Sequence, residues 1–222
     1  MSVSTKAAVF AVIARVFFTS FAELDKTWMP ILFGASVLTM LVGNTAAIFQ
    51  DDLKRMLAYS GVAHAGYLMI GIITNTQEGM ASIIFYLSVY LFMNIGAFAV
   101  VFMMEGEGPE GNSINRFKGL AKRSPFLAVA MSLFMVSLAG FPPTAGFFGK
   151  LFLFYAAIKQ GYFLITILAV VASIISVYFY LRVIAMMYFY EDEYAPQPFM
   201  HKGMRALVTV SSIAVLAIGL FP

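Results

Sequence analysis

The run Gly140-Phe141-Pro142-Pro143-Thr144-Ala145-Gly146-Phe147-Phe148-Gly149 sits in the middle of an apolar stretch that extends from 125 to 159. A helix crosses a bilayer in about 20 residues. The stretch is therefore too long for one plain helix and too short for two. Paired prolines remove two backbone donors and stop a helix, while the glycines relax the chain. The spacing predicts two half-helices, 125–140 and about 145–159, meeting at an unwound segment at membrane depth. Irregular backbone is tolerated there only where protein or a water-filled cavity surrounds it.

Working outward on the same ruler, six further apolar segments appear at 2–22, 29–50, 54–74, 81–104, 162–190 and 204–222. Short polar links join them, and no stretch reads as a separate soluble domain. The expected fold is an all-α polytopic membrane protein of about seven transmembrane segments, one of them broken at 140–149, forming a single helical domain over 1–222. Composition agrees. Of 222 residues 61% are apolar and 11% charged, against roughly a quarter charged in a soluble domain, and mean hydropathy is +0.88. A water-soluble enzyme, a disordered chain and a collagen are all excluded. With no Cys, the chain cannot itself supply disulfides, Fe–S ligation or thiolate zinc sites. Met1–Thr5 lacks a signal-peptide pattern, and Phe221-Pro222 stops as a helix would be leaving the membrane, so both ends read as cut.

Charge gives orientation. Loops 51–55, 105–124 and 191–203 share one side if the broken segment crosses once. With Arg205 just beyond, that side holds Lys54, Arg55, Arg116, Lys118, Lys122, Arg123 and Lys202, eight basic residues against two (Lys26 and Lys159) on the other. The positive-inside rule makes the first side cytoplasmic.

Lys6, Arg15, Lys150 and Arg182 remain inside apolar segments. A charge at a helix centre costs at least about 2.5–3.5 kcal/mol on insertion scales. Such residues face the protein interior or water and are functional candidates. Lys150 lies just past the break, with Thr144 expected as N-cap of the second half-helix. The positive end of that half-helix opposes a cation, whereas the exposed carbonyls of Leu138, Ala139 and Gly140 favour one. Opposed influences of this kind suit a lysine that gains and loses a proton near neutral pH. The alternative is a lysine snorkelling to an interface.

Lys6 and Arg15 are nine residues apart and so point to opposite faces. Lys6, among the small residues Ser4, Thr5, Ala7 and Ala8, is the functional choice, while Arg15 can reach toward Glu23. In the third segment Asp51 or Asp52 suits the helix N-terminus. His64 stands roughly 15 Å deeper than Lys54 by helical rise, with Ser60 and Tyr67 on the same stripe. Two readings fit His64: a hydrogen-bonded packing residue or a proton relay. Lys54 sits at the boundary, where anchoring and proton carriage both fit. Ser82, Tyr86, Tyr90 and Asn94 recur every four residues, and Ser173, Ser176 and Tyr180 form a second stripe beside Arg182. These stripes read first as interhelical hydrogen bonding, second as water along a proton path. Arg182 snorkels toward Glu191 or pairs elsewhere. The sequence holds no phosphate-cradling glycine loop, HExxH, nucleophile elbow or metal cluster, and Gly106–Gly111 is not a dinucleotide fingerprint. Proton or ion movement is the better-supported chemistry.

Three strings then carry a resemblance: Thr5-Lys6-Ala7-Ala8; Asp52-Leu53-Lys54-Arg55-Met56-Leu57-Ala58-Tyr59-Ser60 with His64-Ala65-Gly66-Tyr67; and Ser137-Leu138-Ala139-Gly140 running through the break to Lys150. Together they resemble the antiporter-like membrane subunits of bacterial proton-translocating NADH–quinone oxidoreductase, respiratory complex I. Asn94-Ile95-Gly96-Ala97-Phe98 resembles the N type among them. The resemblance implies the C-terminal part of an inverted-repeat fold, from helix eight onward. It places Lys6 at the central lysine, Lys150 at the broken-helix lysine, and Lys54 and His64 on the helix between.

It further implies that this chain binds no cofactor, and that NADH, FMN, Fe–S clusters and quinone belong to partner subunits. The expected partners are other membrane subunits, above all a neighbouring antiporter-like one, and the lipid of the cell inner membrane; no nucleic acid is expected. Multisubunit cation/proton antiporters and membrane-bound hydrogenases share the architecture, and a non-conducting scaffold is the reading from another class.

Overall fold

The computed structural model describes residues 2–21, 25–106, 111–191, 197–199 and 201–222. Helix α1 (Ser2–Arg15) continues into one wider π-type turn, Val16–Ser20, whose Val16 carbonyl accepts from Phe21 N at 3.1 Å. Then come α2 (Asp25–Ile48), α3 (Leu53–Ile73), α4 (Gln77–Met104), the short α5 (Leu120–Arg123), α6 (Pro125–Ala139), α7 (Ala145–Lys159), α8 (Phe163–Phe189) and α9 (Lys202–Leu220). Five of these, α2, α3, α4, α8 and α9, are long and apolar enough to span a membrane. The α6–α7 pair and the continuous α1 account for the remaining two expected segments.

Several boundaries differ from the expectation. Helix α2 begins at Asp25, before residue 29, and takes in Pro30, whose ring removes one intrahelical bond without ending the helix. Helix α3 begins where Asp52, as N-cap, accepts from Arg55 N at 2.9 Å, satisfying one orphan donor of the first turn. The long loop after α4 is also more than a polar link. Ile114–Phe117 forms a 3-10 turn whose Ile114 and Phe117 are buried, and Leu120 of α5 is buried too.

Helices α3 and α4 form the centre, with α2 packed along α3, α8 on α2 and α6, and α7 and α9 on α4. The core is dense with aromatic and methionine side chains: Tyr67, Tyr86, Tyr90, Tyr180, Phe134 and Phe179 are fully buried, and Met40, Met56, Met93 and Met131 fill between them. Outward faces of α2, α8 and α9 carry exposed Ile, Leu, Val and Phe, among them Ile31, Leu38, Ile167, Ile174 and Ile213. That distribution suits lipid or neighbouring helices as solvent.

At the break, Gly140 has φ +91°, the left-handed region that only glycine adopts without cost. Its amide bonds Val136 O at 3.1 Å and Ser137 O at 3.0 Å, and Phe141 N bonds Val136 O at 3.1 Å, closing α6 in the manner of a Schellman motif. Helix α7 restarts five residues further on, pressed against the end of α6. Gly146 N donates to Ser137 Oγ at 3.1 Å, and a Cβ on Gly146 would run into the Ser137 carbonyl.

The loop 111–124 ties three helices at their Lys/Arg-rich end. Asp52 and Ser113 form an antiparallel bridge, with Leu53 N on Asn112 O at 2.9 Å and Ile114 N on Asp51 O at 2.8 Å. Arg116 Nε donates to Met104 O at the end of α4 (3.0 Å), and Gly119 N to Met186 O near the end of α8 (3.3 Å).

A lysine–histidine–lysine chain as candidate functional site

Lys150 projects from the second turn of α7 back across the break. Its Nζ donates to the carbonyl of Ala139 at 2.8 Å and to Ser173 Oγ of α8 at 2.7 Å. The Ala139 carbonyl is one of the last four of α6, unpaired by its own helix and at its negative end. Carbonyls at the break were the expected attraction, and Ala139 supplies it. Thr144 departs from expectation: it stands at the N-cap position, yet makes no cap bond, its hydroxyl turning back to Phe141 O at 2.6 Å. The side chain of Lys150 is buried, with Nζ 5.1 Å over the ring of Tyr67. A groove of about 560 Å³ lined by Ala139, Gly140, Phe141, Ser173, Ile174, Val177 and Tyr178 reaches the surface beside these two acceptors.

Lys6 enters from α1. Its Nζ donates to Gly61 O at 2.8 Å and to the Tyr90 hydroxyl at 3.1 Å, and lies 5.2 Å over the Tyr90 ring. Arg15, on the other face of α1, is exposed; its expected partner Glu23 lies outside the described residues.

His64 stands between the two lysines. Nδ1 is 2.5 Å from the Tyr86 hydroxyl and Nε2 3.1 Å from the Tyr180 hydroxyl, and the ring lies 4.9 Å from that of Tyr90. A neutral imidazole donates through one nitrogen and accepts through the other, so one tyrosine is donor and the other acceptor. The expected stripe mates of His64 do not bond it. Ser60 Oγ instead donates to Leu57 O at 2.8 Å, and Tyr67 packs edge-on at 5.8 Å between centroids. Since Tyr67 also lies beneath Lys150, its ring fills the space between histidine and lysine. The sequence of contacts is therefore Lys6, Tyr90, His64 with Tyr86 and Tyr180, Tyr67, then Ser173 and Lys150. Among the described residues no Asp or Glu is buried. The two ammonium groups bond carbonyls and hydroxyls and lie over aromatic rings.

The other candidates fall elsewhere. Lys54, expected as a secondary site residue, pairs with Glu105 at 2.5 Å at the Lys/Arg-rich end, with both side chains partly exposed, and makes no contact with this chain. Arg182 pairs with Asp51 at 2.5 Å and donates to Gln50 O at 3.3 Å, while Glu191 pairs with Lys122. From the two stripes, Tyr86, Tyr90, Ser173 and Tyr180 belong to the site; Ser82, Asn94 and Ser176 bond their own helix backbones. Asn44 of α2 went unread in the sequence. It is buried and donates through Nδ2 to Ala172 O at 2.9 Å, next to Ser173; an amide in the middle of Val42-Gly43-Asn44-Thr45 was the available signal.

A family model described as NADH:quinone oxidoreductase/Mrp antiporter, transmembrane, matches residues 1–176. Subunit N of the NADH-quinone oxidoreductase of Chloroflexus aggregans is 43% identical over 223 residues, covering 100% of this chain and 46% of the relative. The subunit N of Trichlorobacter lovleyi is 47% identical over 193 residues, covering 87% of this chain and 40% of the relative. The chain thus spans about half the length of the curated relatives it matches. Among solved structures, a chain of respiratory complex I from Thermus thermophilus with bound aureothin superposes with TM-score 0.78 at 34% identity, covering 87% of this chain and 44% of that one. A chain of the Mrp complex from a Dietzia species superposes with TM-score 0.83 at 23% identity, covering 96% and 48%, and shares the fold.

Proposed function

The chain belongs to the NADH:quinone oxidoreductase/Mrp antiporter membrane family, and from that premise we propose that it acts as subunit N of a proton-translocating NADH–quinone oxidoreductase in the cell inner membrane. In this reading NADH, FMN, Fe–S clusters and quinone are handled by partner subunits, and the work of this chain is to carry protons. The observation that supports it is the chain of polar groups from half-buried Lys6 through buried His64 to buried Lys150, running across the helices.

The chemistry follows from the partners. Lys6 hands a proton toward the Tyr90 hydroxyl it already bonds. His64, with a tyrosine hydroxyl on each nitrogen, accepts at one side and donates at the other. Lys150 receives the proton past Tyr67 and Ser173, held by the Ala139 carbonyl that the break exposes. Among the described residues no carboxylate pairs with either ammonium. A proton on one lysine therefore raises the electrostatic cost of a proton on the other, and low polarity strengthens that coupling. Free energy released in partner subunits biases this coupling, and Lys150 passes the proton toward a neighbouring antiporter-like subunit.

The test is NADH-driven acidification of inverted membrane vesicles carrying Lys6→Ala or Lys150→Ala. We expect loss of acidification in complexes that still assemble and oxidise NADH. Full pumping by either variant sinks the role of that residue. A sodium-dependent signal would instead favour a cation/proton antiporter built on the same lysines. Loss of assembly on repacking the helices, with pumping indifferent to both lysines, would favour a scaffold.

A further inference from the structure

Two buried polar atoms beside Lys150 have no hydrogen-bond partner: Asn44 Oδ1 and the Tyr67 hydroxyl. Their orientation is forced. The Asn44 amide group spends Nδ2 on the Ala172 carbonyl at 2.9 Å, a bond only the NH2 end can make. Oδ1 is left without a partner. The Tyr67 hydroxyl is close enough to Asn44 and Ser173 to interact with both, but meets neither in hydrogen-bonding geometry; Ser173 is the residue that bonds Lys150. Leaving a buried polar atom unpaired costs about 1–3 kcal/mol; the hydroxyl and the amide oxygen are near one another yet not directly bonded, so a partner shared between them satisfies both. Ordered water fills that role where polar groups converge.

We propose that Asn44 is a positioning residue for Lys150, and that it and Tyr67 together hold one ordered water beside the lysine. Through Nδ2, Asn44 fixes α8 at Ala172, which sets the direction of the adjacent Ser173 hydroxyl toward Nζ. Through Oδ1 it accepts from the water, which in turn meets the Tyr67 hydroxyl. Helix α2, which carries no charged residue near the site, becomes part of it. Tyr67 acquires a second role beyond packing: its ring supports the ammonium and its hydroxyl anchors the water.

The first experiment is independent of transport. A density map of the assembled complex, resolved well enough to show solvent, is expected to place one water within about 3 Å of both Asn44 Oδ1 and the Tyr67 hydroxyl. In Tyr67→Phe that water is expected to vanish while the Lys150–Ala139 bond stays. A direct Tyr67–Asn44 or Tyr67–Ser173 hydrogen bond with no water between overturns the proposal. The second experiment rests on the proton-carrying reading. Asn44→Leu and Tyr67→Phe, in complexes with wild-type subunit content, are each expected to lower protons pumped per NADH severalfold, and the double variant to be no worse than the weaker single. Independent, additive losses, or no loss, overturn the positioning role. Should the water be present but Lys150→Ala pump normally, the relay reading fails and the water site stands.

Discussion

The Lys150 ammonium is bonded to the carbonyl of Ala139, eleven residues back in the chain and on the other half of the broken helix. The break therefore does two things at once: it frees an acceptor at the end of α6 and brings the donor of α7 onto it. Replacing Lys150 with Met keeps the length and apolar stem but leaves Ala139 O and Ser173 without their cation. The Ser173 hydroxyl still donates to Ala139 O at 3.4 Å, so no acceptor is orphaned; we expect assembly to hold and NADH-driven acidification to disappear. Retained acidification at normal complex content would contradict the role given to the ammonium.

Gly61 offers a cleaner probe of Lys6 than Lys6 itself. A Cβ at Gly61 would meet the Lys6 ammonium and the Tyr90 hydroxyl, both of which are the ends of side chains. Gly61→Ala is expected to leave α3 folded, push the ammonium off the Gly61 carbonyl, and reduce pumping as far as Lys6→Ala does. Normal pumping in this variant would show that Lys6 is not held there for transport.

Gly146→Ala tests the break by the opposite route, because here the obstacle is backbone. The added methyl would collide with the Ser137 carbonyl. Overpacking of this kind costs about 1–3 kcal/mol, and we expect the complex in membranes to unfold at lower temperature and in smaller amounts. A thermal shift of zero would mean the two halves are not pressed together.

For His64 the two tyrosines are separable. Tyr86→Phe removes the partner of Nδ1 and Tyr180→Phe that of Nε2. Each leaves one buried ring nitrogen unpaired, and each is expected to slow pumping without changing NADH oxidation in uncoupled vesicles. If only one of them slows it, the imidazole is a fixed hydrogen-bonded strut and not a relay.

Lys54→Ala is expected to be nearly silent. Its partly exposed pair with Glu105 is of the class worth about 0.2–1 kcal/mol, so assembly and pumping should both stay close to normal. A loss of pumping comparable to that of Lys150→Ala would return Lys54 to the proton path.

Much of this was legible before any coordinates. Gly140-Phe141-Pro142-Pro143 announces the break because proline and glycine act on the local backbone, and Lys150 stands out because a charge in an apolar run has few physical excuses. What surrounds His64 was not legible. A four-residue period shows that Tyr86 and Tyr90 share a face of α4, but not what that face meets. That depends on how α3, α4 and α8 rotate against one another, which near-uniformly apolar helices do not betray. Thr144 misled for a local reason: its hydroxyl has a closer acceptor in Phe141 O than any donor in the first turn of α7. Glu105, partner of Lys54, sits 51 positions away, beyond the reach of any local pattern.

The loop 111–124 grips the ends of α3, α4 and α8 through the Asp52–Ser113 bridge, the Met104 carbonyl and the Met186 carbonyl. These are the helices that carry His64, the tyrosines and Ser173. Clamped together at one end, they form a frame in which rocking one bundle against another would mean tearing backbone bonds. Within that frame, between Tyr90 and Ser173, the changes left open are small: a turned hydroxyl, a solvent molecule gained or lost. On the proposed proton-carrying reading, transport in such a frame would resemble a wire with switchable contacts, limited by side-chain rotation rather than by the slower collective motion of helices.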